Sequence, residues 1–347
     1  MLNTFSKILL LLFLSVQICF AQLVPIDETE LSGMTGQAFI NIDQASSGSI
    51  DFTKFTFGLD VKTSLNSDLL ELGRYERSGE AAGSSDIRIS DFALGKIDSN
   101  GNLVPFEIKD PFIELAFEDD AGKQNLVGVR LGFGGAKGAL SGNIESLTGS
   151  VKVSIRDTAS GLAAAGTLLG DLSAALLANS PIEAEAVLVN GSGNLDPIRA
   201  TKIGISNGKK FNIYADSYGD RIALNLASVV PGLDCIDGSF FGGCRHGQIT
   251  SNNCGALGIP TCFDLANYNT LDVGEKQSDG SFDFASGLFL SFQTKPVTWN
   301  DGSVSTNTVS GAFLNVPNGG LEVTLDQAFT GTERVRTRYV DPYFGGF

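Results

Sequence analysis

The sequence predicts an all-β protein of mainly antiparallel sheet, sandwich-like or extended and twisted, with one central helical segment and a disulfide-stapled loop. Three observations predict this class. Apolar and polar residues alternate along many short segments, which is the period of a strand with one buried face. Asn-Gly and Asp-Gly pairs separate these segments, and such pairs favour two-residue hairpin turns. The 42 glycines suit tight turns, bulges and strand bends.

Residues 1–21 have the pattern of a secretory signal. Lys7 precedes an apolar run from Ile8 to Leu14, and we expect cleavage after Ala21. The sequence therefore predicts an exported protein, placed at the cell surface, in the outer membrane or outside the cell, with the periplasm as the alternative. Cysteines of an exported chain meet an oxidising compartment, where disulfides form and persist.

The chain is acidic, with 24 Lys and Arg against 39 Asp and Glu and a formal net charge of −15. Removing residues 1–21 takes away one lysine and no acid, so the mature charge becomes −15 − 1 = −16. This surface repels phosphate backbones, so we expect no nucleic acid as a partner. An apolar fraction of 42%, with 24 Phe spread along the chain, indicates burial throughout rather than disorder.

Alternating apolar residues predict the strands in order. Phe55, Phe57, Leu59 and Val61 share one face of the first clear strand. Further strands are predicted at 87–89, 104–108, 113–117, 127–133, 151–155, 211–213, 222–226, 288–292 and 321–325. Turns are predicted at Asn100-Gly101, Asn190-Gly191, Asn207-Gly208, Asp237-Gly238, Asp279-Gly280, Asp301-Gly302 and Asn318-Gly319.

The pattern divides the chain into a signal peptide, an N-terminal β region, a helical segment and a C-terminal β region. Their bounds are 1–21, 22–157, 158–182 and 183–347. The helical segment is rich in Ala, Leu and Gly. A helix packed on a sheet is the favoured interpretation, and reversible contact of its Leu-rich face with lipid or another apolar surface stays open. A membrane span is disfavoured because Asp171 lies in the middle.

The mature cysteines all lie in one loop, 235–262, with the spacing C-x8-C-x9-C-x7-C at Cys235, Cys244, Cys254 and Cys262. Zinc sites usually show C-x2-4-C pairs, so two disulfides are favoured over a metal. Four cysteines allow three pairings, of which the pairing of sequence neighbours is favoured but not fixed. A cross-linked glycine-rich loop suits recognition, with plain stabilisation of a long insertion as the alternative. Arg245 and His246 of this loop are candidate interaction residues.

The sequence has no recognisable catalytic motif. His246 is the only histidine, and no G-x-S-x-G, Walker or H-E-x-x-H pattern occurs. A glycosidase stays open because its two carboxylates can come from distant strands. The protein is therefore expected to be non-enzymatic, with a secreted hydrolase as the third alternative.

No cofactor is expected, with calcium at an unidentified site left open. The stretch Asp98-Ser99-Asn100-Gly101-Asn102 begins like a calcium loop. It departs from an EF-hand because glycine stands at its fourth position and Lys109 at its twelfth. A hairpin turn is the favoured interpretation.

Near the C-terminus, Arg334, Arg336 and Arg338 alternate with other residues, which predicts three cations on one face of a strand. In an acidic protein this stripe is either an edge guarded against aggregation or a docking face. The acidic partner would be a second copy of the chain or lipid phosphate. These three arginines complete the candidate interaction residues.

The segment that follows the signal contains an acidic stretch and then Leu31-Ser32-Gly33-Met34-Thr35-Gly36-Gln37. This opening resembles a family of uncharacterised exported proteins of Gram-negative gammaproteobacteria, some of them labelled filament or pilus associated. The resemblance extends to 110–117 and 147–153. It implies a cell-surface or envelope setting and brings no catalytic residue.

Together these patterns predict an exported protein that acts by binding or assembly, in adhesion or in association with filaments. Its expected partners are surface or envelope proteins, including other copies of itself. The alternative is a periplasmic or outer-membrane-associated carrier of lipid or another apolar ligand, motivated by the Phe-rich strands and by the Leu-rich segment 162–177.

Overall fold

A computed structural model describes residues 40–335 apart from 168–170, 172–175, 229–230, 240–241 and 303. The strands of the first half are β1 (Ile40–Ser47), β2 (Ile50–Phe57), β3 (Asp60–Thr63), β4 (Leu65–Arg74), β5 (Ser85–Leu94), β6 (Lys96–Ile97), β7 (Leu103–Val104), β8 (Phe106–Asp120), β9 (Lys123–Leu147) and β10 (Gly149–Thr158).

The second half continues in the same manner with mostly shorter strands. These are β11 (Pro181–Val189), β12 (Lys202–Gly204), β13 (Lys210–Tyr214), β14 (Leu233–Ser239), β15 (Gly243–Thr250), β16 (Gly255–Ala256), β17 (Ile259–Pro260), β18 (Cys262–Asp264), β19 (Thr270–Val273), β20 (Glu275–Lys276), β21 (Phe282–Asp283), β22 (Phe289–Gln293), β23 (Thr298–Asp301), β24 (Val304–Asn307), β25 (Gly311–Val316) and β26 (Glu322–Val323). The helices whose full bounds are described are α1 (Tyr218–Ala227), α2 (Leu325–Thr330) and the 3₁₀ helices Ala159–Ala165 and Leu265–Asn267.

Strands β1, β2, β8, β9, β22 and β25 form one antiparallel sheet in that spatial order. β25 then pairs in parallel with β10, which continues into a second sheet through β11, β13, β15 and β14. Pairing therefore crosses the helical segment, because β9 and β10 precede it while β22 and β25 follow it. The main core likewise extends from Ile87 to Ala328.

The 25-residue strand β9 belongs to two sheet regions. Its first part pairs with β8 and β22, and its last part pairs with β5 and β19. Gly138 lies between the two parts with φ of +134°, where an added Cβ would come 2.9 Å from the Cα of Phe106. Glycine is required at this position because the backbone conformation and the close approach both exclude a side chain.

The all-β, mainly antiparallel class is confirmed, as are several hairpins. Asn100-Gly101 joins β6 to β7, Asp279-Gly280 joins β20 to β21, and Asp301-Gly302 begins the turn between β23 and β24. Each prediction succeeded because the turn pair determines the local chain reversal without help from distant residues.

Two local predictions are wrong. The alternation at 222–226 predicted a strand, but these residues lie in α1, whose first turn is capped by the Ser217 side chain accepting a hydrogen bond from the Asp220 amide. An alternation of three apolar residues is too short to distinguish the two periods. Asp237-Gly238 predicted a turn, but it lies inside β14 at a shift in register against β15.

Other boundaries moved. The predicted central helical segment, 158–182, is confirmed: its described part contains the 3₁₀ helix Ala159–Ala165 and the α-helical residues Asp171 and Leu176. Its end lies earlier than predicted, because β11 begins at Pro181. The strand predicted around Phe55 to Val61 is divided into β2 and β3. The strand predicted at 321–325 is limited to β26, because Thr324 caps the start of α2.

Candidate functional site

One face of the six-stranded sheet is apolar and partly open to solvent. Residues that are paired on neighbouring strands project from the same face of the sheet. One row of such paired apolar residues crosses all six strands. The row consists of Ile42, Phe55, Ile113, Leu131, Leu290 and Leu314. Ile42 is 58% exposed, and Ile113 and Leu131 are each 37% exposed. Leu290 and Leu314, at the far end of the row, pack against the main core, so the exposed part extends from Ile42 to Leu131. Exposed apolar surface of this kind marks an interaction site, and we call this row the apolar face.

The opposite face of the same sheet is covered by the β23–β24 hairpin. Trp299 of this hairpin is fully buried, with its ring 5.5 Å from that of Phe52 and packed edge-on. A Cβ at Gly128 would lie 3.1 Å from the Trp299 ring, so the glycine makes room for the indole. On β2, where the other face stays partly open, the hairpin therefore decides which face is buried.

A charged cluster lies beneath the same hairpin. The Arg130 guanidinium, fully buried, donates from Nε to Glu114 Oε2 at 2.7 Å and from Nη1 to Asp301 Oδ2 at 2.6 Å. Its charge also lies 5.0 Å from the Phe289 ring centre. Burial raises the pKa of Glu114, and this effect outweighs the opposing attraction of Arg130. The cluster fastens the hairpin to β8 and β9.

Strand β1 forms an edge of the sheet. All eight of its residues are exposed, and among the described residues it pairs with β2 alone. In an antiparallel ladder every second residue directs its N–H and C=O away from the partner strand. The outer side of β1 therefore presents backbone groups that another strand can bind.

The two disulfides join neighbouring cysteines, as the favoured pairing predicted. Cys235–Cys244 links β14 to β15, and Cys254–Cys262 closes the turn that contains β16 and β17. Paired cysteines are typical of an oxidising, non-cytoplasmic compartment.

Replacing both Cys254 and Cys262 with serine is expected to lower the free energy of unfolding by about 2.5 kcal/mol, because the open chain regains loop entropy. Urea denaturation would measure this loss. Replacing both Cys235 and Cys244 with serine is the matched comparison. These cysteines are separated by 9 residues in sequence, and Cys254 and Cys262 by 8, so the two losses of stability should be nearly equal. An unchanged midpoint in both double variants would contradict the expectation.

The candidate interaction residues do not converge. Arg245 is exposed on β15, while the next residue, His246, projects to the other face of the strand. The His246 ring stacks 4.8 Å from that of Tyr214, and its Nε2 lies 3.0 Å from Asn212 Oδ1. These contacts give the histidine a packing role on the sheet.

Arg334 lies outside any strand, and it binds Asp91 through an ion pair of 3.1 Å and a hydrogen bond to its backbone carbonyl. Arg336 and Arg338 lie outside the described residues. The described part of the predicted stripe is therefore engaged within the chain.

The Asp98 carboxylate is used by a hairpin turn. It accepts hydrogen bonds from the backbone amide and the side chain of Asn102 and from the backbone amide of Asn100, and these bonds lower the pKa of Asp98. Within the described ranges, no group of three or more His, Cys, Asp or Glu side chains is arranged to hold a metal ion.

The main core encloses a small apolar cavity of about 80 Å³. Ile144, Val153 and Val316 are among its lining side chains. For comparison, an engineered dry cavity of about 150 Å³ takes up benzene. The cavity thus matches a very small apolar molecule in size.

Comparison with known proteins identifies no family for this chain. No family model, curated protein or solved structure matches the chain. In the described part of the chain, no helix has both the length and the apolar character needed to cross a membrane. The Leu31–Gln37 motif lies outside the described residues.

The sequence did not identify the apolar face as a site. Period-two alternation assigned Phe55 and Phe57 to one face, implying burial there, whereas the structure buries Phe52 on the opposite face and leaves the other two half-buried. A usable signal was present, since β2 has large apolar residues on both faces. Such a strand has more apolar surface than a single core can cover.

Proposed function

We propose that the protein is exported and acts at the cell surface or in the envelope by binding or assembly, without catalysis. The observation that carries this proposal is the apolar face, whose open part crosses β1, β2, β8 and β9 and is exposed at Ile42, Ile113 and Leu131. A soluble monomer gains nothing from such exposure, whereas a binding protein does. The disulfides and the predicted signal of residues 1–21 support the exported setting.

The size of the core cavity does not favour the alternative role as a carrier. At about 80 Å³ it has roughly half the volume that accommodates benzene, so an acyl chain requires the core to open. The apolar face can contact an apolar surface without any such opening. We therefore place recognition on the sheet surface rather than in the interior.

Cell fractionation tests the proposal. We expect the wild-type chain outside the cytosol, with a fraction retained by the envelope. Replacing Ile113 with lysine should reduce the ratio of retained to free exported protein about tenfold. The reason is that burying one large aliphatic side chain contributes about 1.5–3 kcal/mol, and 1.4 kcal/mol is a factor of ten.

Val304→Lys is the matched control, because Val304 is 63% exposed on the β23–β24 hairpin, away from the apolar face. Its retention should equal that of the wild type. Recovery of the wild-type chain only from the cytosol would overturn the proposal. If the Ile113→Lys and Val304→Lys variants are retained equally, the apolar face is not the binding surface.

A further inference from the structure

The outer edge of β1 lacks the devices that usually keep an edge strand from pairing. Its eight residues include no Lys, Arg or Pro, and its register against β2 is unbroken. Asp43 is its only charged side chain. Proteins protect exposed edges with lysine, proline, bulges or very short strands, because an open edge is a template for another strand.

Another edge of the same protein does have such protection. β14 pairs with β15 alone within the described ranges, and its ladder contains two register shifts. It also carries Asp234 and Asp237. The contrast with β14 indicates that the unprotected edge is a specific feature of β1 and is not shared by every edge strand of this protein.

We propose that β1 pairs antiparallel with β1 of a second copy, which makes the protein a two-fold symmetric dimer with one continuous sheet. This inference rests on the proposed function and specifies its assembly partner. A two-fold axis that pairs an edge strand antiparallel with itself stands perpendicular to the sheet, so both apolar faces fall on the same side. The row through Ile42 and Phe55 then doubles in length.

Side-chain chemistry selects the register. Two-fold pairing on one face places residues of equal parity opposite each other. If the two-fold axis passes at Asp43, the Asp43 carboxylates of the two copies lie directly opposite each other, which is unfavourable. If the axis passes at Ile42 instead, the two Ile42 side chains lie opposite each other on the apolar face. Asn41 of each copy then lies opposite Asp43 of the other, as hydrogen-bond donor and acceptor. In the monomer the same two side chains are already hydrogen bonded at 2.9 Å.

Sedimentation velocity of the chain purified in its exported form tests the dimer. We expect a monomer–dimer equilibrium in the wild type, and Ile42→Lys should weaken dimerisation by about tenfold or more because two ammonium groups then face each other. Ile113→Lys is the matched control. It changes the apolar face two strands away from the edge and should leave the dimer intact.

A cysteine at position 42 provides a second, independent readout of the register. The Cα atoms of directly opposed residues lie about 4.5–5.5 Å apart, within disulfide range. Ile42→Cys should therefore form an inter-chain disulfide under mild oxidation, and Asp43→Cys should form far less.

An exported wild-type chain that stays monomeric at all concentrations overturns the dimer but leaves surface binding intact, whereas a cytosolic chain overturns surface binding itself. A monomer whose β1 amides exchange slowly also overturns the dimer, because another segment of the same chain then covers the edge. A dimer that survives Ile42→Lys and gives no cross-link at position 42 places the interface elsewhere.

Discussion

Replacing Arg130 with methionine is expected to lower the free energy of unfolding by about 3–5 kcal/mol. The guanidinium is fully buried and is hydrogen bonded to Glu114 and Asp301. Its removal leaves the buried Glu114 carboxylate without its principal partner and releases the Asp301 anchor of the hairpin. Because domains are stable by only about 5–15 kcal/mol, a loss of this size should be plain in urea denaturation.

The double variant Arg130→Met with Glu114→Gln separates the cost of the orphaned charge from the loss of packing. It should recover most of the stability, since no buried carboxylate then lacks a partner; Asp301 also loses Arg130, but its side chain is 33% exposed and lies 3.9 Å from Lys54. A double variant as unstable as the single one would contradict this account.

The pH dependence has a definite sign. The pKa of Glu114 is raised above its ordinary value of 4.5 by burial, despite the attraction of Arg130 and Lys54. A raised folded-state pKa contributes stability that is complete below the unfolded pKa and is lost as pH rises through the folded pKa. Removing Arg130 raises that pKa further, so the destabilisation should be smaller at pH 4 than at pH 7.

Replacing Trp299 with alanine is expected to cost about 3–5 kcal/mol. The indole is fully buried in the small core formed with Phe52, Phe289 and Phe313, and its removal leaves a cavity against Gly128. Its Nε1 makes no hydrogen bond, so the loss comes from packing and from the contact of the indole ring with the Arg130 guanidinium, 5.2 Å away. Thermal unfolding of the purified variant would measure it.

Val304→Ala on the same hairpin is the control, and because Val304 is 63% exposed it should change stability by less than about 0.5 kcal/mol. Equal melting temperatures for the Trp299 and Val304 variants would show that the hairpin does not depend on the indole. Both large predictions concern the covered face, whereas Ile42 and Ile113 lie on the open one. Stability and association are therefore separable by mutation.

Several features of the fold could be predicted because their signals are local. The turn at Asn100-Gly101 and the alternation around Val129 need only their own neighbours to specify a hairpin and a strand. The pairing of sequence-neighbouring cysteines was favoured for the same reason. Where the local signal was short, as at 222–226, a helix cap at Ser217 decided the outcome.

The candidate site was harder to predict, because its residues matter through partners far away in the chain. Arg245 and His246 were predicted as interaction residues because they lie in the cysteine loop, but the His246 ring stacks on Tyr214 and is hydrogen bonded to Asn212. Arg334 is committed to Asp91, more than 200 residues earlier. No local pattern reveals such a pairing.

The sequence by itself determined that the chain alternates, turns and cross-links as a β protein, because strand period and turn chemistry act over a few residues. Only the tertiary structure decided which face of β2 is buried. Phe52 and Phe55 are equally apolar, and the choice between them depends on a hairpin about 250 residues later that brings Trp299 and Asp301 over one face. Apolar character favours burial, but it does not specify which distant element covers it.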